Sequence, residues 1–265
     1  MQPEQSNGHG RHKHTPPNRD IHLQGLLPWS SNYSFLVRIA PNTAVSESIG
    51  NRMPPLTEVM AVYKPRRGER PLWDFPQGTL HQRERAAFVV SDALQWHLVP
   101  PTVLREGPHG IGSVQLFVQH NPECHYFTIE GNAAFTDQLQ KIALLDILIN
   151  NADRKAGHVL IEESEVPTQP ERLWLIDHGI CFHTEYKLRT VIWEFAGTAV
   201  PTAALADITV FLQTLARKSG SLYDEMSQLL SVREVAALQQ RTRMIVDEGT
   251  FITPGPGRHY PWPPV

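Results

Sequence analysis

Hydrophobic and polar residues alternate along the first half of the chain, in the pattern of β-strands with one buried face. The predicted strands cover residues 21–28, 33–40, 58–64, 102–106 and 113–119. One helix interrupts them over residues 80–98, because its apolar side chains recur on a single face. Thr79 and Gln82 at its start have the spacing of a capping box. The first half is therefore predicted to be a sheet with one helix.

The second half of the chain is predicted to be mainly helical. Residues 136–151 carry apolar side chains almost all round a helix, which indicates a central, buried helix. Short strands are predicted at 159–161 and 173–176, and further helices at 203–218, 221–231 and 232–247, the last capped by Ser231. The irregular segment 184–201 is expected to be a loop that faces substrate. Because strands and helices do not alternate, the fold class is predicted to be α+β rather than a doubly wound parallel sheet.

Composition is that of an ordinary soluble protein, with 41% hydrophobic and 19% charged residues among 265. The net charge of −3 gives no electrostatic case for nucleic acid as a partner. Cys124 and Cys181 stand in no metal-ligand spacing, which favours a reducing, cytoplasmic setting. No stretch is long and apolar enough to predict a transmembrane segment. Residues 1–20 are predicted to be a disordered, His-rich tail, and residues 254–265 a Pro-rich tail.

Two acidic residues end apolar segments in the middle of the chain. Asp153 follows the predicted buried helix and precedes two cations, Arg154 and Lys155, which should keep its carboxylate ionised. Asp177 ends a predicted strand just before Gly179, where the backbone is expected to bend sharply. Each acid alone is most simply an Asp in a turn. Together they suit phosphoryl transfer, in which one carboxylate contacts the acceptor hydroxyl and another holds a metal ion.

A cation and an acid in the first half extend this pattern. Lys64 ends the third predicted strand, and Glu84 lies near the start of the helix. The plain interpretations are a solvated Lys at a strand end and a Glu that complements the helix dipole. The functional interpretation is an ion pair that fixes Lys64 on nucleotide phosphates. The order of all four residues along the chain favours the functional interpretation.

Backbone groups complete the predicted nucleotide site. A polar turn between the first two strands can lay its N–H groups over phosphates, although an ordinary hairpin has the same pattern. Its residues are Ser30, Ser31 and Asn32. At the end of the fifth strand, a hinge between two lobes would present backbone N–H and C=O groups to adenine. The predicted hinge residues are Leu116, Phe117 and Val118.

The segments VYKP, SVQLFV, NNADRK-GH and IDHG-CFH are typical of a known family. The chain resembles the phosphatidylinositol 3- and 4-kinase-like branch of the kinase fold, and within it a bacterial subfamily with NNADRKxGH and IDHG motifs. This resemblance implies a two-lobed protein/lipid-kinase-like fold. The N-lobe, an antiparallel sheet plus one helix, would cover 21–118, and a mainly helical C-lobe would cover 119–253.

The same resemblance implies an ATP-dependent kinase that uses Mg²⁺ or Mn²⁺ and a hydroxyl acceptor of unknown kind: protein, small molecule or lipid. Lys64 would contact phosphates and pair with Glu84. Asp153 would be the catalytic-loop acid, and Asp177 would bind the metal ion. His158 stands where many relatives carry a metal-binding Asn, and imidazole suits softer divalent ions better than Mg²⁺.

Three other functions are alternatives to this one. The His at position 158 could make the protein a nucleotide-binding pseudokinase or interaction module. Nucleotidyl transfer to a hydroxyl is an alternative chemistry on the same scaffold. A metal hydrolase built on His158, His178 and His183 is the third alternative, and it leaves Lys64 and Glu84 without a role.

Overall fold

A five-stranded antiparallel sheet forms the first part of the fold. The computed structural model describes residues 21–27, 32–40, 58–162 and 171–265. The strands are β1 (Ile21–Leu26), β2 (Phe35–Ile39), β3 (Val59–Pro65), β4 (Thr102–Gly107) and β5 (Gly110–Leu116). They lie in the order β1-β2-β3-β5-β4, and every neighbouring pair is antiparallel. The predicted tail over 1–20 lies outside the described residues.

Helices dominate the rest of the chain. They are α1 (Leu80–Ala93), α2 (Tyr126–Ile129), α3 (Thr136–Ile149), α4 (Thr202–Leu215), α5 (Ser221–Leu229) and α6 (Val232–Glu248). A separate antiparallel hairpin consists of β6 (Val159–Glu162) and β7 (Arg172–Leu175). The predicted α+β class, with a sheet and one helix followed by a mainly helical part, is confirmed. In the described ranges, no helix has both the length and the apolar character needed to cross a bilayer.

The sheet and the helices bury separate hydrophobic cores. The small core of the sheet contains Val37, Ala61, Tyr63 and Val114. α3 runs through the larger core, where Leu144, Leu145 and Leu148 are fully buried, as its apolar pattern predicted. α1 packs into this larger core through Ala86 and Val90, although it lies between the sheet strands β3 and β4 in sequence. The helix that carries Glu84 is therefore held by the helical part of the fold.

Arg83 fixes α1 against the C-terminal helices. Its side chain is buried, and its guanidinium lies 2.5 Å from Glu234 Oε1 and donates to Cys181 O at 2.7 Å. Glu234 also belongs to the capping box of α6, in which it accepts a hydrogen bond from the Ser231 amide at 2.8 Å. The predicted cap at Ser231 is thus confirmed. Because Glu84 is the next residue, this anchor also orients Glu84.

Two predicted features of α1 are wrong. The helix ends at Ala93 rather than at residue 98, because Gln95 and His97 adopt left-handed backbone angles with φ of 58° and 49°. The capping box at its start is also absent. The Thr79 hydroxyl donates instead to Pro76 O at 2.7 Å, so it contacts the preceding segment rather than a helix N–H.

The Pro-rich C-terminal segment lies against the helical part of the fold. Pro264 O accepts a hydrogen bond from the Ala156 amide at 2.8 Å, and His259 O accepts one from the Thr190 amide at 3.1 Å. The predicted strand over 113–119 also differs in its bounds, since β5 already begins at Gly110 and ends at Leu116. A tight turn with Gly110 at φ 93° explains the earlier start of β5.

Candidate active site

One cation joins two acids between the sheet and the helical part. Lys64 Nζ lies 2.5 Å from Glu84 Oε1 and 2.9 Å from Asp177 Oδ1. Lys64 comes from the end of β3, Glu84 from α1, and Asp177 from the segment after β7. These three predicted site residues are separated widely in sequence, and the structure brings them into direct contact. Glu84 has a second contact, since its Oε2 accepts a hydrogen bond from the His178 amide at 3.0 Å.

The backbone after β7 turns at Asp177 itself. Asp177 has φ of 62°, a left-handed conformation that Asp tolerates better than most residues. Phe182 has φ of 67° in the same segment. The backbone also turns at Gly179 and Ile180, as predicted, although Gly179 is not among the residues of positive φ. The left-handed turn directs the Asp177 carboxylate toward Lys64.

The charges in this cluster stabilise one another. Burial lowers the pKa of the Lys64 ammonium, but the carboxylates of Asp177 and Glu84 outweigh it and raise the pKa above its usual range. The charge of Lys64 in turn holds the pKa of the Asp177 carboxyl well below its usual range. Lys64 is therefore a fixed cation and Asp177 a fixed anion at neutral pH. Such groups can act on phosphates and cations without a change of protonation.

Asp153 occupies a different environment from Asp177. Burial, with help from the charge of Asp177, raises the pKa of the Asp153 carboxyl to about 6, against the opposing charges of Lys155 and Arg189. Lys155 Nζ lies 3.6 Å from Asp153 Oδ2. A carboxyl group with a pKa close to neutral pH can accept and release a proton, which is the property of a general base.

Arg154 does not accompany Lys155 at Asp153, contrary to the sequence interpretation. Its side chain enters the core and pairs with Asp146, a residue of α3, at 3.0 Å, and both side chains are fully buried. The same guanidinium donates to Ile176 O at 3.0 Å and lies 2.7 Å from His178 Nε2. Arg154 thus connects the segment that carries Asp153 to the segment that carries Asp177.

Sequence reasoning overlooked this buried pair. The available signal was Asp146 itself, a single charged residue in the middle of an otherwise apolar stretch of α3. A buried charge requires a partner of opposite sign. Asp146 has two partners here, because Asn151 Nδ2 donates to Asp146 Oδ1 at 2.9 Å in addition to the ion pair.

His158 lies beside Asp177 and has the chemistry of a metal ligand. Its Nε2 is 3.4 Å from Asp177 Oδ2. Burial lowers the pKa of the imidazole to about 4, so the ring is uncharged at neutral pH, and its Nδ1 accepts a hydrogen bond from the Lys155 amide at 3.4 Å. A carboxylate and a neutral imidazole fit a divalent ion that takes its remaining ligands from phosphates and water. No group of three or more acidic, His or Cys side chains within the described residues forms a complete protein-only metal site.

The proposed hydrolase cluster is wrong. His178 is buried against Arg154, as described above. His183 Nε2 lies 3.0 Å from Asp74 O, a backbone oxygen in another segment. The three histidines therefore have separate partners, and no group of them could hold a metal ion within the described part of the chain.

A cleft adjoins the Lys64 cluster. Its volume of about 300 Å³ is suited to a small ligand. It is lined by Lys64, His158, Asp177 and all three predicted hinge residues, and by apolar side chains such as Val62, Leu160 and Ile176. The apolar wall suits a planar base. The charged end suits phosphates.

Only part of the predicted hinge offers free backbone groups. The amide of Leu116 donates to Pro101 O at 2.9 Å, and that of Phe117 to Met60 O at 3.0 Å. The amide of Val118 donates to no other described residue. Val118 is therefore the hinge residue whose N–H group can meet a base.

The predicted phosphate-covering turn is described only at Asn32. Ser30 and Ser31 lie outside the described residues. The side chain of Asn32 does not point freely into the cleft, because its Oδ1 accepts a hydrogen bond from the Arg70 amide at 2.8 Å. The Asn32 side chain thus holds the turn after β3, and a phosphate contact of its backbone stays a prediction.

The fold has counterparts among solved kinases. The crystal structure of the Golgi casein kinase with Mn/ADP bound gives a TM-score of 0.54 over 88% of this chain and 72% of that chain, at 16% identity. The crystal structure of the Helicobacter pylori proinflammatory kinase CtkA gives a TM-score of 0.52. The match covers 88% of this chain and 93% of that chain, at 10% identity. At these identities the likeness concerns the fold alone. The chain therefore has the two-lobed fold of kinases.

Sequence relatives identify the family. The family described as phosphatidylinositol 3- and 4-kinase matches residues 97–232. Protein Rv2133c of Mycobacterium tuberculosis is 36% identical over 243 residues, which cover 78% of this chain and 84% of that protein. Phosphatidylinositol 4-kinase gamma 4 of Oryza sativa subsp. japonica is 39% identical over 105 residues, but the match spans only 18% of its length. The chain belongs to the phosphatidylinositol 3- and 4-kinase family.

Proposed function

We propose that the protein transfers the γ-phosphate of ATP to a hydroxyl group. The observation that supports this most directly is the contact of Lys64 with both Glu84 and Asp177 at the mouth of the cleft. A cation fixed by two acids is suited to bind phosphates and to neutralise the charge that develops on them. We also propose that the lobe boundary follows Val118, with the N-lobe over 21–118 and the C-lobe over 119–253.

Asp153 acts as the base in this proposal. The acceptor hydroxyl gives its proton to the Asp153 carboxylate as its oxygen forms a bond to the γ-phosphorus. The bond between that phosphorus and the bridging oxygen breaks, and ADP leaves with the bond's electron pair. Lys64 contacts the phosphates and stabilises their charge, while the hinge amide of Val118 orients the adenine ring of ATP. Much of the rate gain comes from this positioning.

Asp177 and His158 would hold the divalent ion, Mg²⁺ or Mn²⁺. When bound, such an ion supplies charge neutralisation on the transferred phosphate. The residues present favour an ion that accepts nitrogen as well as oxygen, because imidazole is a poor ligand for Mg²⁺. Glu84 takes no ligand role in this proposal, since both of its oxygens are engaged by Lys64 and by the His178 amide.

The acceptor is proposed only as a hydroxyl-bearing compound. The name of the Oryza sativa relative makes phosphatidylinositol one acceptor to test, beside protein and small-molecule alcohols. The test incubates purified protein with a divalent ion and ATP labelled on the γ-phosphate, with phosphatidylinositol vesicles or a cell extract as acceptor. We expect label in the acceptor that depends on the divalent ion.

Two control measurements separate the alternatives. Label transferred from α-labelled ATP would replace the proposal with nucleotidyl transfer. The protein would instead be a nucleotide-binding pseudokinase if ATP raised its midpoint of thermal unfolding while no label reached any acceptor and no ADP formed. That second candidate rests on the His at position 158. Absence of any effect of ATP on stability or on labelling would contradict both kinase-type proposals.

Replacement of His158 by Asn should change the preferred metal ion. An amide oxygen is a harder ligand than imidazole and suits Mg²⁺ better. We expect the ratio of the rate with Mn²⁺ to the rate with Mg²⁺ to fall by about tenfold in His158→Asn, the order expected for a change at a metal ligand. His120→Asn is the matched control, because His120 also lines the cleft but its Nδ1 lies 2.9 Å from Val118 O. An equal change in both variants would contradict a ligand role for His158.

The rate should depend on pH through Asp153. The pKa of its carboxyl is raised to about 6, so the carboxylate is present above that pH and is lost as pH falls through it. We therefore expect kcat/KM to decline below about pH 6. Lys155→Met removes a charge that lowers this pKa, so the decline should begin at a higher pH. Lys141→Met, at an exposed pair with Asp137, should leave the profile unchanged. Identical profiles for wild type and Lys155→Met would contradict this role of Asp153.

A further inference from the structure

A second cavity lies beside the end of the sheet, outside the cleft. Its volume is about 590 Å³, which is within the usual range for small-molecule sites. Its walls come from the turn after β3, from the segment before α1 and from the β4–β5 turn. It shares no lining residue with the cleft. The proposed phosphoryl transfer therefore leaves this cavity without a role.

Three arginines line this cavity: Arg66, Arg67 and Arg70. None of their side chains forms an ion pair or hydrogen bond with another described residue. Arg66 lies against Gly78, where any Cβ atom would clash with its guanidinium, and Arg67 lies near Gly110. Arg66 therefore lies beside the segment before α1, and Arg67 beside the β4–β5 turn. Arginines that face one cavity without acidic partners are suited to bind phosphate through charge-assisted hydrogen bonds.

The turn that carries these arginines is held in place from both sides. The Arg70 amide donates to Asn32 Oδ1 at 2.8 Å. Glu69 Oε1 accepts a hydrogen bond from the His81 amide at 2.9 Å and lies 2.7 Å from His81 Nδ1. The arginines therefore extend from a fixed backbone. The fixed backbone keeps the three exposed arginines next to one another, and a ligand has only their side chains left to order on binding.

Glu69 adds a requirement for a hydrogen-bond donor. Its side chain is only 9% exposed and lines the cavity, and its Oε2 has no hydrogen-bond partner among the described residues. A buried carboxylate oxygen without a donor is costly, so a ligand that supplies one is favoured. The nearby guanidinium charges oppose a cationic donor. A neutral hydroxyl group satisfies Glu69 without that repulsion. Glu106 also lines the cavity, so its anionic charge partly offsets the arginines.

We propose that this cavity binds a phosphorylated polyol. Its phosphate groups are held by Arg66, Arg67 and Arg70, and one of its hydroxyl groups donates to Glu69. The site is separate from the nucleotide cleft, so its ligand binds whether or not the protein is active as a kinase.

Fructose 1,6-bisphosphate is a suitable probe, because it carries both phosphate and hydroxyl groups. Its affinity would be measured by titration calorimetry on the full chain at physiological ionic strength. In the double variant Arg66→Gln/Arg67→Gln, we expect binding to weaken by about tenfold or more, because each substitution removes a charge-assisted hydrogen bond to phosphate. Arg243→Gln, at an exposed arginine of α6, is the matched control and should bind normally. Equal affinities in the wild type and the double variant would overturn the proposal.

Two further variants locate the contacts. Lys64→Met removes the phosphate-binding cation of the cleft and should retain the binding of fructose 1,6-bisphosphate; loss of binding there would assign the probe to the cleft and overturn the proposal. Glu69→Gln places an amide donor where an acceptor is needed. It should weaken the binding of fructose 1,6-bisphosphate by about fivefold but leave the binding of pyrophosphate, which has no alcohol hydroxyl group, unchanged when both are measured at a pH above about 9. An equal loss for both probes would overturn the Glu69 contact.

Discussion

Asp153→Asn is expected to slow phosphoryl transfer by about 10²- to 10⁴-fold, the usual contribution of a general base. The amide has nearly the same shape as the carboxylate but cannot accept the acceptor's proton at neutral pH. Asp153 does not line the nucleotide cleft. The affinity for ADP should therefore stay at its wild-type value, so the loss appears in kcat. Single-turnover measurements with labelled ATP, beside a binding titration with ADP, give the two quantities separately.

Asp177→Asn should behave differently from Asp153→Asn. Asp177 contacts Lys64 and adjoins His158, so its loss removes both a partner of the cation and a metal ligand. We expect weaker binding of nucleotide in the presence of the divalent ion as well as slower transfer. Asp247→Asn, at an exposed position of α6, is the matched control for both changes.

Turnover at the wild-type rate in Asp153→Asn would exclude Asp153 as the base.

The sequence predicted the parts of the site that are set by local pattern. Lys64 stands at a strand end, Glu84 in the following helix, and Asp177 after a short strand, and each could be recognised from hydrophobic periodicity and residue order. The general architecture followed from the same patterns, since a run of strands before a run of helices restricts the fold class. The contact among these three side chains needed only that the two parts of the fold face each other.

The parts that failed depend on contacts between distant segments. Arg154 is adjacent to Asp153 in sequence, yet its side chain turns into the core because Asp146 lies there without another cation. Nothing in the local sequence fixes that direction. Thr79 has the spacing of a cap, but its hydroxyl is taken by the carbonyl of Pro76. Tertiary context decided both cases, as it commonly overrides local preference.

Asp146→Leu is expected to destabilise the fold by about 3–5 kcal/mol, because it leaves the Arg154 charge buried without a partner. The free energy of unfolding in urea, followed by circular dichroism, measures this. Glu58→Leu is the matched control at an exposed pair, since Glu58 contacts Arg38 at 3.1 Å with both side chains roughly half exposed. Exposed pairs contribute less than about 1 kcal/mol. Similar losses in the two variants would contradict the role of burial.

A double variant separates stability from positioning. Asp146→Leu combined with Arg154→Met replaces the buried pair by apolar side chains of similar volume, a change that is often neutral or stabilising. We expect most of the lost stability to return, but not all of it, because Asn151 Nδ2 and Ile176 O lose the partners that the ion pair supplied. Phosphoryl transfer should remain low, because the double variant lacks the hydrogen bond from Arg154 to Ile176 O and the contact with His178, which hold the segments of Asp153 and Asp177 together. A stable double variant with full activity would show that apolar packing alone can place the two acids.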